Sequence, residues 1–148
     1  MKVAIASDHG GFVLKGKIME YLKEKGIEFK DMGTYDCGSV DYPDFGEKVA
    51  LAVVEGTFDK GICICGTGIG IGIAANKVPG VRAALCHDTF SARNSREHND
   101  ANVLCMGERV VGPGLAMDIV DIWLHTEFAG GRHGKRVDKI TQIEKKYR

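Results

Sequence analysis

Gly61-Ile62-Cys63-Ile64-Cys65 is an apolar run of strand length that ends directly in a glycine series, Gly66, Gly68, Gly70 and Gly72. A run with no polar alternation suits a strand buried on both faces, the condition of a parallel sheet. Glycines at alternate positions let the backbone turn sharply and approach a ligand closely. Helical spacing follows over Ile71 to Lys77. Strand, tight turn and helix in immediate succession restrict the chain to the α/β architectures.

The rest of the chain repeats this alternation. Val3 to Ala6 reads as a buried strand, followed by His9-Gly10-Gly11 and by helical spacing at Leu14, Ile18, Tyr21 and Leu22, closed by Gly26. Ile27 to Phe29 is a shorter strand, and Asp31 to Asp44, with Gly33, Gly38 and Pro43, is loop-like. Phe45, Val49, Ala52 and Val53 restore the helical period. Val81 to Cys86 is a fourth strand, with Asp88 as N-cap of a helix to about His98, and Val103 to Met106 is a fifth. Gly112-Pro113 opens a helix carrying Leu115, Ile119, Ile122 and Trp123; Gly130-Gly131 ends it, and a last amphipathic helix is expected over about 135–147. No repeat or linker interrupts the pattern. The expectation is one α/β domain over residues 1–148, with a parallel sheet covered on both faces.

Composition excludes several classes of function. Lys plus Arg and Asp plus Glu both number 20, which leaves no basic excess for a general nucleic-acid or membrane-surface binder. The five cysteines have no CxxC or zinc-ribbon spacing. Cys63, Cys86 and Cys105 lie in apolar runs as core thiols, which fits a reducing compartment, and the cytosol is expected. The N-terminus reads as a first strand rather than a signal peptide, and no segment approaches a membrane span.

In a parallel α/β sheet, ligands bind beyond the carboxyl ends of the strands. Asp8-His9, Cys65 to Gly68, the loop near Asp88, and Gly107-Glu108-Arg109 fall there. The amides of Gly66, Thr67, Gly68, Ile69 and Gly70 can form a nest for a phosphate or for an oxyanion formed during reaction. The dinucleotide fingerprint fails, because Ile71 or Ile73 stands where the third glycine belongs, and no Gly-Lys-Ser/Thr follows to make a phosphate loop. Cys65, last in its strand, feels the following helix N-terminus, an arrangement that favours thiolate and suits a base. His98-Asn99-Asp100 closes a very polar stretch. Arg132 and Arg136, one helical turn apart, place two guanidiniums on one face, as a phosphate dianion requires. Each histidine or arginine taken singly also fits a solvated surface. Nothing here has metal-ligand spacing.

Together these features resemble one family, the type B ribose-5-phosphate isomerases, grouped with the subunits of galactose-6-phosphate isomerase. The likeness runs through Ser7-Asp8-His9-Gly10-Gly11, Asp41-Tyr42-Pro43-Asp44, Cys65 to Gly70, Ala74 to Lys77, Ser95 to Leu104, Gly107 to Gly112 and Gly130 to His133. It implies a Rossmann-like three-layer αβα sandwich with a five-stranded parallel sheet, and a homodimer or dimer of dimers with sites at subunit interfaces. The C-terminal helix would take part in dimerisation. By position, Cys65 is the base that moves a proton between C1 and C2, and His98 opens the furanose ring with Asp8 assisting. The Gly66–Gly70 amides hold the enediolate, Asn99 contacts the sugar, and His9, Arg109, Arg132 and Arg136 match the phosphate pocket. No cofactor, metal, nucleic acid or membrane is implied.

Three other readings compete. The same reaction on a six-carbon phosphate, allose or galactose 6-phosphate, differs only in pocket length. A non-catalytic nucleotide or phosphate module would use the glycine nest with Asp88 as a ribose acid. A redox protein on Cys63 and Cys65 is disfavoured, because both thiols of a CxC strand point into the core.

Overall fold

The computed structural model describes residues 1–148. Its strands are β1 (Lys2–Ser7), β2 (Glu28–Asp31), β3 (Lys60–Cys65), β4 (Ala83–Leu85) and β5 (Val103–Gly107). They form one sheet of five strands in the order β2-β1-β3-β5-β4, and every neighbouring pair is parallel. Between them run α1 (Phe12–Glu24), α2 (Tyr42–Val54), α3 (Ile69–Ala75), α4 (Thr89–Glu97), α5 (Pro113–His125) and the terminal α6 (Arg132–Tyr147).

Two apolar clusters lie on the two faces of the sheet. One joins Ile5, Ile62, Ile64 and Leu104 to Leu14 and Ile18 of α1, Ala92 of α4 and Ile119 and Trp123 of α5. The other joins Ala4, Cys63, Cys65 and Cys105 to Val49 and Val53 of α2 and Ile71 and Ala75 of α3. Helices on both faces make the three-layer αβα sandwich. The buried central strands β1, β3 and β5 explain the unbroken apolar runs seen in the sequence. α6 stands apart, because Val137 is its only buried residue while Ile140, Ile143 and Tyr147 are exposed.

Several boundaries differ from the sequence expectation, each for a local reason. α2 begins at Tyr42 rather than Phe45, because Pro43 fits the first turn of a helix, where its missing N–H costs nothing. α3 begins at Ile69 rather than Ile71, directly after Gly68 turns the chain at φ 77°. β4 spans only Ala83–Leu85 instead of 81–86. Around its start side-chain amides replace strand partners: Arg82 N–H donates to Asn102 Oδ1 at 2.8 Å, and Ala83 N–H to Asn76 Oδ1 at 2.8 Å. Those contacts blunt a free sheet edge. α6 begins at Arg132 rather than near residue 135, after two glycines of positive φ, Gly130 and Gly131.

Candidate active site

β1 pairs with β2 on one side and β3 on the other, so the chain reverses its winding direction between β1 and β3. A crevice opens at such a reversal, beyond the carboxyl ends of the strands. Here the two walls touch closely. A Cβ on Gly11 would come within 2.6 Å of Ile64, and Asp8 N–H donates to the Ile64 carbonyl at 3.3 Å. Asp8 is buried and caps the single 3-10 turn His9–Gly11, accepting from Gly10 N–H at 2.9 Å. His9 is exposed, and its Nδ1 accepts from Val40 N–H at 3.2 Å.

Cys65 ends β3 with 4% of its surface exposed, and its Sγ accepts from Gly68 N–H at 3.0 Å. The sulfur thus faces the amides of the turn. α3 has only seven residues, so the anion-binding character of this turn rests on individual amides more than on a long helix dipole. No backbone carbonyl of the chain takes the N–H groups of Thr67, Gly70 or Ile71. Glycine is required at Gly68, where φ is 77° and a Cβ would meet Met106 at 2.6 Å. Gly107 is tighter still, since a Cβ there would lie 2.5 Å from Thr67. Arg109 lies across the turn: its N–H donates to the Gly66 carbonyl at 3.1 Å, and its guanidinium sits 3.4 Å from where a Gly66 Cβ would be. Asp8, His9, Cys65 to Gly70 and Arg109 thus share the carboxyl end of the sheet.

The other expected residues lie elsewhere. α4 runs back along the sheet, so His98 and Asn99 precede β5. Gly61 pairs with Val103 and Cys65 with Gly107, which puts the starts of β3 and β5 side by side and Cys65 at the far end. Four residue steps separate the two levels by about 13 Å at roughly 3.3 Å each. The imidazole of His98 stacks on that of His133, with centroids 4.1 Å apart and planes at 10°. Ala129 N–H donates to the Glu97 carbonyl at 3.0 Å, tying the start of α6 to the end of α4. Arg132 and Arg136 therefore belong with His98, and both are exposed. Loss of hydration first, then His98, Arg132 and Arg136, push His133 below the ordinary imidazole range. The Asn99 carbonyl accepts from Arg82 Nε at 3.0 Å, and the residue lines an open cleft between β4 and α6 with Ile140, Ile143 and Glu144.

The sequence reading missed several residues. Tyr42, within a segment read as loop, lays its ring against Gly70, where a Cβ would meet Cε2 at 2.6 Å. His87 accepts the Gly107 N–H on its Nε2 at 3.0 Å and braces the end of β5. The His98–His133 stack joins residues 35 apart in sequence, and no local pattern could signal it. Asp88 is the N-cap of α4 as expected, accepting from Ser91 N–H at 2.6 Å and Ser91 Oγ at 2.9 Å. Those bonds hold its carboxyl below the usual range. A carboxylate committed to a cap makes a poor ribose acid, which removes the support for a nucleotide module.

A thiol beside free amides, with an acid and an imidazole at the next strand end and the Arg109 guanidinium across the turn, suits proton transfer on a small anionic substrate. The kind of protein is shown by likeness to known proteins. Residues 3–140 match the family described as Ribose/Galactose Isomerase. A putative sugar phosphate isomerase of Bacillus subtilis is 62% identical over 148 residues, with 99% of each chain covered. Ribose-5-phosphate isomerase B of Escherichia coli is 52% identical, covering 98% of this chain and 97% of its own. The structure of Clostridium thermocellum ribose-5-phosphate isomerase B superposes with a TM-score of 0.99 at 64% identity, with 100% of both chains covered. The chain belongs to the ribose/galactose isomerase family, and it is an aldose–ketose isomerase with the Rossmann-like fold of that family.

Proposed function

We infer that this isomerase interconverts ribose 5-phosphate and ribulose 5-phosphate, as part of cytosolic pentose phosphate metabolism, and works as a homodimer. The observation that carries the reading is the Cys65 turn, where a sulfur lies beside unpaired amides at the sheet's winding reversal. Aldose–ketose isomerisation needs a base over a carbon acid and donors for the cis-enediolate, and neither requires a redox partner. Cys65 takes the C2 proton of the aldose and returns it at C1. The Thr67 and Gly70 amides hold the enediolate oxygen. His98, assisted by Asp8, moves the protons that open the furanose. Asn99 holds the sugar, while His9, Arg109, Arg132 and Arg136 hold the phosphate, whose binding energy positions the reacting carbons. Five free cysteines fit a reducing compartment.

The separation within one chain supports the dimer. Cys65 and His98 sit at opposite ends of the sheet, and no loop of the chain brings them together. A two-fold axis places the carboxyl end of one copy against the amino end of the other and makes two complete sites. Apolar side chains are available to bury at such an interface: Ile69 and Ile73 on α3, Leu85 on the edge strand, Phe90 on α4, and Ile140 and Ile143 on α6 are all at least 40% exposed. α6, with one buried residue, would be a marginal helix in isolation and gains most from this packing.

Subunit complementation tests site and assembly together, by NMR with ribose 5-phosphate in the presence of a chelator. C65A and H98N should each be nearly inactive alone. Refolded together in equal amounts, they should recover about a quarter of parent activity, since half the dimers are mixed and each holds one intact site. No recovery, with dimers present, would place both residues in one subunit's site or remove one of them from the mechanism.

A further inference from the structure

Lys15 is completely buried, although it lies on α1 among residues that pack the core. Burying an ammonium is costly unless it is paired and hydrogen-bonded, and an apolar side chain of similar size would fill the space without that cost. Both its hydrogen-bond partners lie on one segment. The Nζ donates to Asp31 Oδ1 at 2.6 Å and to the Thr34 carbonyl, and it faces the rings of Phe12 and Tyr35 at 5.6 and 5.5 Å. Asp31 Oδ1 also accepts from Gly33 N–H at 2.9 Å. The charge thus fixes the chain from the end of β2 into the following loop.

That loop reaches the active site by two short routes. Ser7 N–H donates to the Gly33 carbonyl and Thr34 N–H to the Ser7 carbonyl, both at 2.7 Å, so the loop extends β1 to the residue before Asp8. Farther along, Val40 N–H donates to His9 Nδ1. A neutral imidazole that accepts at Nδ1 carries its hydrogen on Nε2, which leaves Nε2–H as the donor for a ligand oxygen.

We propose that Lys15 is a positioning residue for substrate binding: through Asp31 and the Thr34 carbonyl it holds the 31–40 loop, and the loop holds His9 in the Nε2–H form aimed at the phosphate. Lys15 itself touches no substrate. This rests on the phosphate role read for His9 above.

Its function is read separately from its stability, because removing one partner of a buried ion pair leaves the other charge unpaired and destabilises the fold. Lys15→Met should therefore unfold below the parent's temperature, with the loss limited because Asp31 is partly exposed and keeps water as a partner. Its KM for ribose 5-phosphate should rise roughly tenfold to a hundredfold, with kcat changed by less than about threefold, the pattern of lost binding rather than lost chemistry. Long-range proton–nitrogen spectra of the dimer should show His9 passing from one tautomer to a mixture. If Lys15→Met folds and keeps both the tautomer and a KM within about twofold of the parent, the inference is wrong. Should that variant not fold, Asp31→Asn is measured in the same two ways, and a parent-like tautomer and KM there would equally overturn the inference. His9→Asn separates the failures. A His9→Asn enzyme that binds substrate as tightly as the parent overturns the role of His9 and this inference with it. A weakened His9→Asn beside an unchanged Lys15→Met overturns this inference alone.

Discussion

The two halves of the candidate site are built differently. At the carboxyl end of the sheet, Asp8 and Cys65 are almost wholly buried, and the strand ends around them tolerate no side chain at Gly11, Gly68 or Gly107. At the amino end, Arg132 and Arg136 are exposed on a helix with one buried residue, and His98 leans on His133. The first half is fixed by the fold of a single chain. In the proposed dimer, the second would gain its surroundings from a second copy. On the proposed reading, chemistry that needs a base and oxyanion donors in fixed geometry falls to the rigid half, whereas the two arginines of α6 join His9 and Arg109 in gathering the phosphate, which tolerates more freedom.

The largest expected effect strikes the rigid half. Cys65→Ala should lower proton exchange at the reacting carbons by at least about 10²-fold, the usual contribution of a single base. Affinity for a phosphorylated, non-reacting sugar should stay within about twofold, since the phosphate contacts that supply the binding energy are untouched. Solvent-deuterium incorporation near the parent's rate would remove Cys65 from the chemistry, and the two halves would no longer divide the work as described.

Arg132→Ala and Arg136→Ala should act on the opposite side of the comparison. Each should cost about 1.5–3 kcal/mol in binding of the phosphorylated substrate, the range for hydrogen bonds to charged groups. Proton exchange at saturating substrate should change much less. If both variants bind as tightly as the parent, the arginines are only a solvated helix face, and α6 serves assembly alone.

The halves also differed in how far the sequence disclosed them. The apolar run Gly61 to Cys65 and the glycine series form one continuous segment, so strand, turn and buried thiol were all legible from residue type and spacing. Asp8 and Arg109 were legible by the same rule, since each follows a strand of the same sheet. His98 and the arginines were candidates by residue type and spacing, but only the resemblance joined them in one site. Their common location depends on the His98–His133 stack and on the path of α4, which no local pattern carries. Lys15 and Tyr42 were missed for a related reason. A lysine at a helical core position reads as a surface residue, and a tyrosine before a proline reads as loop, until tertiary structure shows Asp31 beside the one and Gly70 beside the other.

The smallest effect concerns charge in the amino-end half. His133 is held below the ordinary imidazole range by lost hydration first, and then by His98, Arg132 and Arg136. With a folded pKa below the unfolded one, the unfolded chain binds the proton more readily. The contribution of His133 to stability is therefore intact above the ordinary imidazole pKa of about 6.5 and declines as pH falls through that value toward the folded one. An anion between the arginines should oppose the cations and stabilise protonated His133. Inorganic phosphate should accordingly raise its pKa, followed by imidazole proton shifts in the dimer, while chloride at equal ionic strength should do so much less. His98→Asn removes a cause other than the largest, so it should raise the value only part of the way. A His133 titration indifferent to phosphate would mean that this cluster holds no anion, and the division between a rigid chemical half and a phosphate-gathering half would lose its second member.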